Sequence, residues 1–258
     1  MKRYHFISGL PRSGSTLLAA ILRQNPYTQA GITSPVAEAM LALQQALSRQ
    51  NEAAGLITEM QRAYMLRGVM DTYYALHQEV NIFDTNRRWC NQTPLLTSLF
   101  PEGKIICMVR DPRWIINSME ILRQRYPLEL NKALGFQANT SIYERAQVLL
   151  APTGLVGYAL NAFRSAYYGS HNRDQLIIID YDDLCREPAR CIERIYQICD
   201  IPPFEHDFTH IRPLPEAERF DEETGLPGMH EVGRRVQPRN HVSRLPPNLW
   251  DSIVPAFW

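Results

Sequence analysis

Ser8-Gly9-Leu10-Pro11-Arg12-Ser13-Gly14-Ser15-Thr16 lies between the apolar run Tyr4-His5-Phe6-Ile7 and the helix-forming stretch Leu17-Leu18-Ala19-Ala20-Ile21-Leu22. A strand that enters a small-residue loop and then a helix aims consecutive backbone N–H groups, and the positive end of the helix, at whatever the loop encloses. This is an anion cradle. It keeps the two glycines of the nucleoside-triphosphate loop G-x-x-x-x-G-K-[ST], but Ser15 stands in the lysine position and the only cation is Arg12, inside the loop. The usual γ-phosphate clamp is missing.

Around the loop, residues 4 to 9 read as the first strand and about 14 to 25 as the first helix, closed by Asn25-Pro26. Helices follow from about Val36 to Arg49 and from about Glu52 to His77, the latter with Leu56, Met60, Tyr64, Val69, Tyr73 and Leu76 at helical spacing. Val80 to Phe83 is a short strand. Lys104 to Val109 and Leu176 to Ile179 are continuous apolar runs, as in strands buried on both faces. Leu155 to Tyr168 and Pro188 to Cys199 read as further helices, and Tyr126 to Thr140 as a poorly periodic flap. The alternation predicts a three-layer α/β/α fold with a central parallel sheet. Half of the 18 prolines follow Ile201, so residues 202–258 are expected to wrap the core without long helices, the whole of 1–258 forming one domain. Within that tail, Asp221-Glu222-Glu223 reads as a solvated turn.

Composition narrows the function classes. Twenty-seven basic and 27 acidic residues cancel, so no global charge draws the chain to nucleic acid or an anionic membrane. Five cysteines, without a C-x-x-C pair, argue for free thiols over a disulfide framework or zinc site. With no charged leader and no run approaching the ~18 apolar residues of a membrane span, a cytoplasmic protein is expected.

Ligands of parallel α/β sheets bind at the carboxyl ends of the strands, and each apolar run here ends in polar residues. After the first comes Arg12; after the others come Asp84-Thr85-Asn86-Arg87, Arg110-Asp111-Pro112-Arg113 and Asp180-Tyr181-Asp182-Asp183. Asp111 is placed to cap a helix that starts at Pro112. Arg110 at the strand end and Ser118 two turns into that helix suit a second phosphate. The structural alternative for Arg110 is an ion pair with Asp111 or Asp180.

These residues resemble the sulfotransferases that use 3′-phosphoadenylyl sulfate (PAPS), bacterial and tyrosylprotein-type members above all. Gly9 to Thr16 is similar to their 5′-phosphosulfate loop, Val109 through Ser118 to their 3′-phosphate motif, and Asp180 to Leu184 with Glu187-Pro188 to their last core strand and following helix. The resemblance covers the chain to about Phe204, and Gly228 to Val236 resembles the basic loop that closes over the nucleotide. It implies a P-loop-containing nucleotide hydrolase-like (sulfotransferase) fold and transfer of a sulfuryl group from PAPS to a hydroxyl, less readily an amine, releasing adenosine 3′,5′-bisphosphate (PAP), with no metal. The donor would be held by Pro11, Arg12, Ser13, Gly14, Ser15, Thr16, Arg110, Ser118, Tyr181, Arg234 and Arg235. Related enzymes often carry a lysine at the end of the second strand, in an Asp-Lys or Asn-Lys pair, where this chain has Asp84-Thr85 and Arg87 is the nearest cation. Tyrosylprotein-type relatives place a glutamate base shortly after the first helix, where this chain has Gly31 to Pro35, with Glu38 the closest carboxylate. Arg12, Glu38 and Arg87 are therefore the expected catalytic residues, with Asp84 and His230 as alternative bases. The acceptor, a small molecule, saccharide or peptide, is expected among the second and third helices and residues 126 to 154. Two rival readings are a P-loop kinase or hydrolase, since Leu176 to Asp180 mimics a Walker B strand, and a non-catalytic PAP binder.

Overall fold

The four apolar runs become strands. In the computed structural model, which describes residues 2–48, 52–169, 173–238 and 242–254, the chain opens with β1 (Arg3–Gly9), α1 (Ser15–Leu22), β2 (Thr28–Ala30), α2 (Val36–Ala46) and α3 (Glu59–Tyr73). It continues through β3 (Asn81–Thr85), α4 (Thr93–Leu99), β4 (Ile105–Val109), α5 (Pro112–Arg125), α6 (Pro127–Ala133), α7 (Ile142–Leu150) and α8 (Leu155–Gly169). β5 (Leu176–Asp180), α9 (Tyr181–Arg186), α10 (Pro188–Ile198), α11 (Ala217–Thr224) and α12 (Pro247–Ser252) complete it. The strands form one parallel sheet in the order β2-β3-β1-β4-β5.

Successive strand residues point to opposite faces. Tyr4, Phe6, Ile105, Cys107 and Val109 enter a core shared with α2, α3, α5, α7 and α8. Ile7, Ile106, Met108, Ile177 and Ile179 enter a second core with α1, α9 and α10. Covering both faces gives the expected three layers. The tail contributes to both: Leu245, Leu249 and Ile253 to the first, and Ile211, Leu214 and Ala217 to the second. All five cysteines are free and buried.

β1 has β3 on one side and β4 on the other, so sheet growth reverses there and a crevice opens at the carboxyl ends of β1 and β4. This crevice positions the site.

Several local expectations are corrected. β2 is a strand the sequence pattern does not predict, because Thr28-Gln29-Ala30 carries almost no apolar signal and pairs with β3 alone. The first helix ends at Leu22; Asn25 instead accepts from Tyr27 N in a turn and donates to the Tyr196 hydroxyl. The Val36 helix stops at Ala46, and its expected end, Arg49, lies outside the described residues. The Glu52–His77 helix is broken: a 3-10 turn spans Glu52–Leu56, and Thr58 starts α3 with a capping box closed by Gln61. The cap sets the helix so that Leu66 and Met70 are buried, while Leu56 and Tyr64, from the expected stripe, are 87% and 67% exposed. Residues 126–140 hold α6, anchored by the fully buried Leu130. The expectation that no run approaches the length of a membrane span is also corrected: Ile142–Gly169 is long and apolar enough by length and composition to cross one, with an 18-residue window of mean hydropathy 1.2. In the fold, residues 151–154 divide it into α7 and α8, which pack into the first core.

Candidate active site

The loop after β1 is built by its backbone. Gly9 adopts φ +110, and a Cβ there would meet the Met108 carbonyl oxygen at 2.1 Å, so only glycine lets β1 leave the sheet beside β4. Arg12 takes φ +57 and Gly14, the N-cap of α1, φ +91. Ser13 is fully buried, its hydroxyl donating inward to the carbonyls of Leu10 and Met108. It therefore locks the loop and does not face the cavity. Among the described residues no side chain caps α1, so its first amides can face a ligand.

Arg110 and Ser118 meet this loop. Asp111 caps α5 by accepting from Arg113 N at 2.9 Å, with Pro112 opening the helix, as the sequence implies. Arg110 is buried, donates from Nη1 to Arg12 O at 3.1 Å, and lies 4.4 Å over the Tyr181 ring. Tyr181 in turn packs against Gly14, where a Cβ would approach its ring to 2.6 Å. Arg12 reaches across, its Nε donating to Ser118 Oγ at 3.1 Å and its Nη1 to the carbonyls of Gly228 and Met229. Asp180, the Walker B mimic, caps α9 by accepting from Asp182 N.

Pro11, Arg12, Gly14, Ser15, Thr16, Arg110, Ser118, Tyr181 and Arg235 thus line one cavity of about 440 Å³. Arg234 is exposed and does not line it; its carbonyl accepts from Ile211 N. A bis-phosphorylated nucleoside fits this set: guanidiniums and uncapped amides for two anions, and Leu134, Leu155, Leu226 and Val232 for an apolar ring. Among the described residues no three His, Cys, Asp or Glu side chains converge as a metal set.

The expected catalytic residues divide. Arg87 lines the cavity, and desolvation, then the neighbouring Arg88, hold its guanidinium below the ordinary value. Glu38 does not line it. Its carboxylate is half exposed and accepts from Arg88 Nε at 3.0 Å and Asn86 Nδ2 at 3.1 Å, because α2 turns it along the outside of the β3 loop. Asp84, within β3, is fully buried, accepting from the Tyr74 hydroxyl at 2.6 Å and Trp89 Nε1 at 2.7 Å, and burial raises its pKa. His230 lines the cavity. Its Nδ1 lies 2.5 Å from Asp221, which belongs to α11 and is buried, so the expected solvated turn is a helix with an inward carboxylate. Only the packing of α11 reveals this, since Ala217 and Asp221, four residues apart, share its buried face.

A second cavity, about 540 Å³, is lined by Arg23, Gln29, Tyr73, His77, Glu216 and Arg219, and shares Ile32, Thr33, Thr85 and Phe220 with the first. Thr85 Oγ1, at that junction, is buried without a hydrogen-bond partner among the described residues. From residues 126–154, only Ala133 and Leu134 border the first cavity and none borders the second.

Protein-tyrosine sulfotransferase 2 of Gallus gallus is 32% identical over 127 residues, 44% of this chain and 33% of that protein. Protein-tyrosine sulfotransferase 1 of Homo sapiens is 33% identical over 124 residues, 44% of this chain and 33% of that protein. The chain thus spans about a third of the length of these curated relatives. Among solved structures, the sulfotransferase domain from the curacin biosynthetic pathway shares the fold, with a TM-score of 0.50 at 14% identity over 99% of this chain and 84% of that one. The sulfotransferase family model matches residues 5–206, which include the loop after β1, Arg110 and Ser118. The chain belongs to the sulfotransferase family.

Proposed function

We propose that the chain transfers a sulfuryl group from PAPS to a hydroxyl of an acceptor that enters through the second cavity. One observation carries this reading: the amides of the β1 loop and the Arg110–Ser118 pair, the two anion motifs, line a single cavity. The uncapped α1 terminus would hold the 5′-phosphate, and Arg110 with Ser118 the 3′-phosphate. In-line sulfuryl transfer resembles loose phosphoryl transfer, in which the protein positions the groups and stabilises charge on the leaving oxygen. Arg12 and Arg87 line that cavity and would stabilise that charge. The Thr85 hydroxyl, unpaired where the cavities join, suits a hydrogen bond to the sulfuryl group or the acceptor oxygen.

The test is binding followed by transfer. Calorimetry should give PAP an affinity roughly ten- to a hundredfold above that of adenosine 5′-phosphate, and radiolabelled PAPS should label a hydroxyl acceptor. Equal affinity for the two nucleotides, or tight binding only of ATP with magnesium, would overturn the donor assignment. PAP binding without sulfation of any acceptor would favour the non-catalytic reading.

A further inference from the structure

An acceptor hydroxyl has to lose its proton, and neither Glu38 nor Asp84 reaches the cavity. Four groups on the described lining of the donor cavity could receive it: Tyr181, Cys185, His230 and Glu231. On the second cavity His77 lies against Glu79, Glu216 against Arg23, Glu223 against Arg219, and Tyr74 donates to Asp84; neither they nor Tyr73 borders the donor cavity. Tyr181 lies beneath the Arg110 guanidinium, Cys185 is buried in the second core, and Glu231 is 60% exposed and paired with Arg125 Nη1 at 3.1 Å. His230 is different. Both carboxylate oxygens of Asp221 are turned to it, Oδ1 at 2.5 Å from Nδ1 and Oδ2 accepting from the backbone N at 2.9 Å. An ionised carboxylate only accepts, so the Nδ1 proton points at Asp221 and Nε2 is left as the basic nitrogen. The Phe220 ring, edge-on at 5.4 Å, fixes the imidazole from the side.

From these contacts we infer that His230, oriented by Asp221, is the general base of sulfuryl transfer; this rests on the transferase reading above. Phe220 borders both cavities, which sets His230 beside the junction where acceptor meets donor. The carbonyl of Met229, the preceding residue, accepts from Arg12 Nη1 and ties the dyad to the donor loop. In the step, Nε2 takes the acceptor O–H proton as the acceptor oxygen forms its bond to sulfur. The bond from sulfur to the bridging oxygen breaks, and its electron pair leaves on the 5′-phosphate of PAP. The imidazolium that results sits against the Asp221 carboxylate, which stabilises it. Asp221 and His230 both lie beyond residue 206, where the family match ends.

The experiment uses the full chain at about pH 8 with PAPS and two phenols as acceptors: 4-methylphenol, protonated there, and 4-nitrophenol, largely ionised there. His230→Gln should lower kcat on 4-methylphenol by about a hundredfold or more, much less on 4-nitrophenol, and leave PAP affinity unchanged. Asp221→Asn should show the same selective loss, and added imidazole should restore part of the turnover of His230→Ala. Equal loss on both phenols, loss through PAP affinity alone, or no loss would overturn the base assignment while leaving the transferase reading in place. Wild-type protein that binds PAPS but sulfates neither phenol and does not hydrolyse the donor would overturn both.

Discussion

Arg12 Nε donates to Ser118 Oγ at 3.1 Å, joining the tip of the first loop to the second turn of α5 across 106 residues of sequence. The same arginine's carbonyl accepts from Arg110, so the two anion motifs share one cation as both donor and anchor. A ligand that supplied two phosphates would replace these protein contacts with its own. Arg110→Ala should therefore lower PAP affinity by roughly ten- to a hundredfold, the loss of one charge-assisted hydrogen bond, while adenosine 5′-phosphate binding changes little. Isothermal titration of both nucleotides checks it.

Gly14 should tolerate no side chain. Alanine there would be held at φ +91 with its Cβ 2.6 Å from Tyr181 Cδ2, and the ring could yield only by leaving Arg110. The backbone strain alone is about 1–2 kcal/mol. Gly14→Ala is expected to lose PAP affinity through both anion sites, a larger loss than Ser15→Ala gives, with a lowered Tm read by calorimetry.

Glu38→Gln should leave kcat and KM within about fivefold of wild type, measured with PAPS and a phenol. Its carboxylate serves an exposed pair with Arg88, worth at most about 1 kcal/mol. A fall of two or more orders of magnitude would restore it as the base.

What was legible in the sequence is what local rules encode. Gly9 and Gly14 mark positive φ, Asp111-Pro112 marks a helix start, and uninterrupted apolar runs mark the strands covered on both faces. Carboxylate partners are not local. Whether Glu38 or Asp221 turns inward depends on how α2 and α11 rotate against the sheet, and that is set by distant neighbours such as Arg88 and His230. The α3 stripe failed for a related reason: Thr58, not the apolar spacing, starts the helix, and the face carrying Leu66 and Met70 packs inward.

His5 predicts a pH dependence of stability. It lies within β1, stacked on Phe83 at 5.0 Å, with Nδ1 accepting from Lys104 N. Burial first, then the charges of Arg3 and Lys104, push its pKa down to about 3. The folded state thus keeps His5 neutral where the unfolded chain, titrating near 6.5, gains a proton. Stability from this site is full above about pH 6.5 and falls by about 1.4 kcal/mol per unit as pH drops toward 3. His5→Asn, which keeps an acceptor for Lys104 N, should remove that slope from urea-unfolding free energies measured between about pH 6.5 and 4. A slope equal to wild type would mean that other groups carry the acid sensitivity.

Glu120 and Arg145 form a bidentate pair, Nε to Oε1 at 2.8 Å and Nη2 to Oε2 at 2.7 Å, with 3% and 7% of their side chains exposed. The pair fastens α5 to α7, two residues beyond Ser118 and on a different face of the helix, since two residues advance about 200°. Removing one partner strands a buried charge, so Glu120→Gln or Arg145→Met should cost about 3–5 kcal/mol. The double substitution Glu120→Leu with Arg145→Met removes both charges and should recover most of that stability. If the pair serves only to fasten the helices, saturating PAP should raise the Tm of the double variant as much as that of wild type, because Ser118 keeps its place. A smaller rise would show that the pair also sets the register of α5 against the anion site.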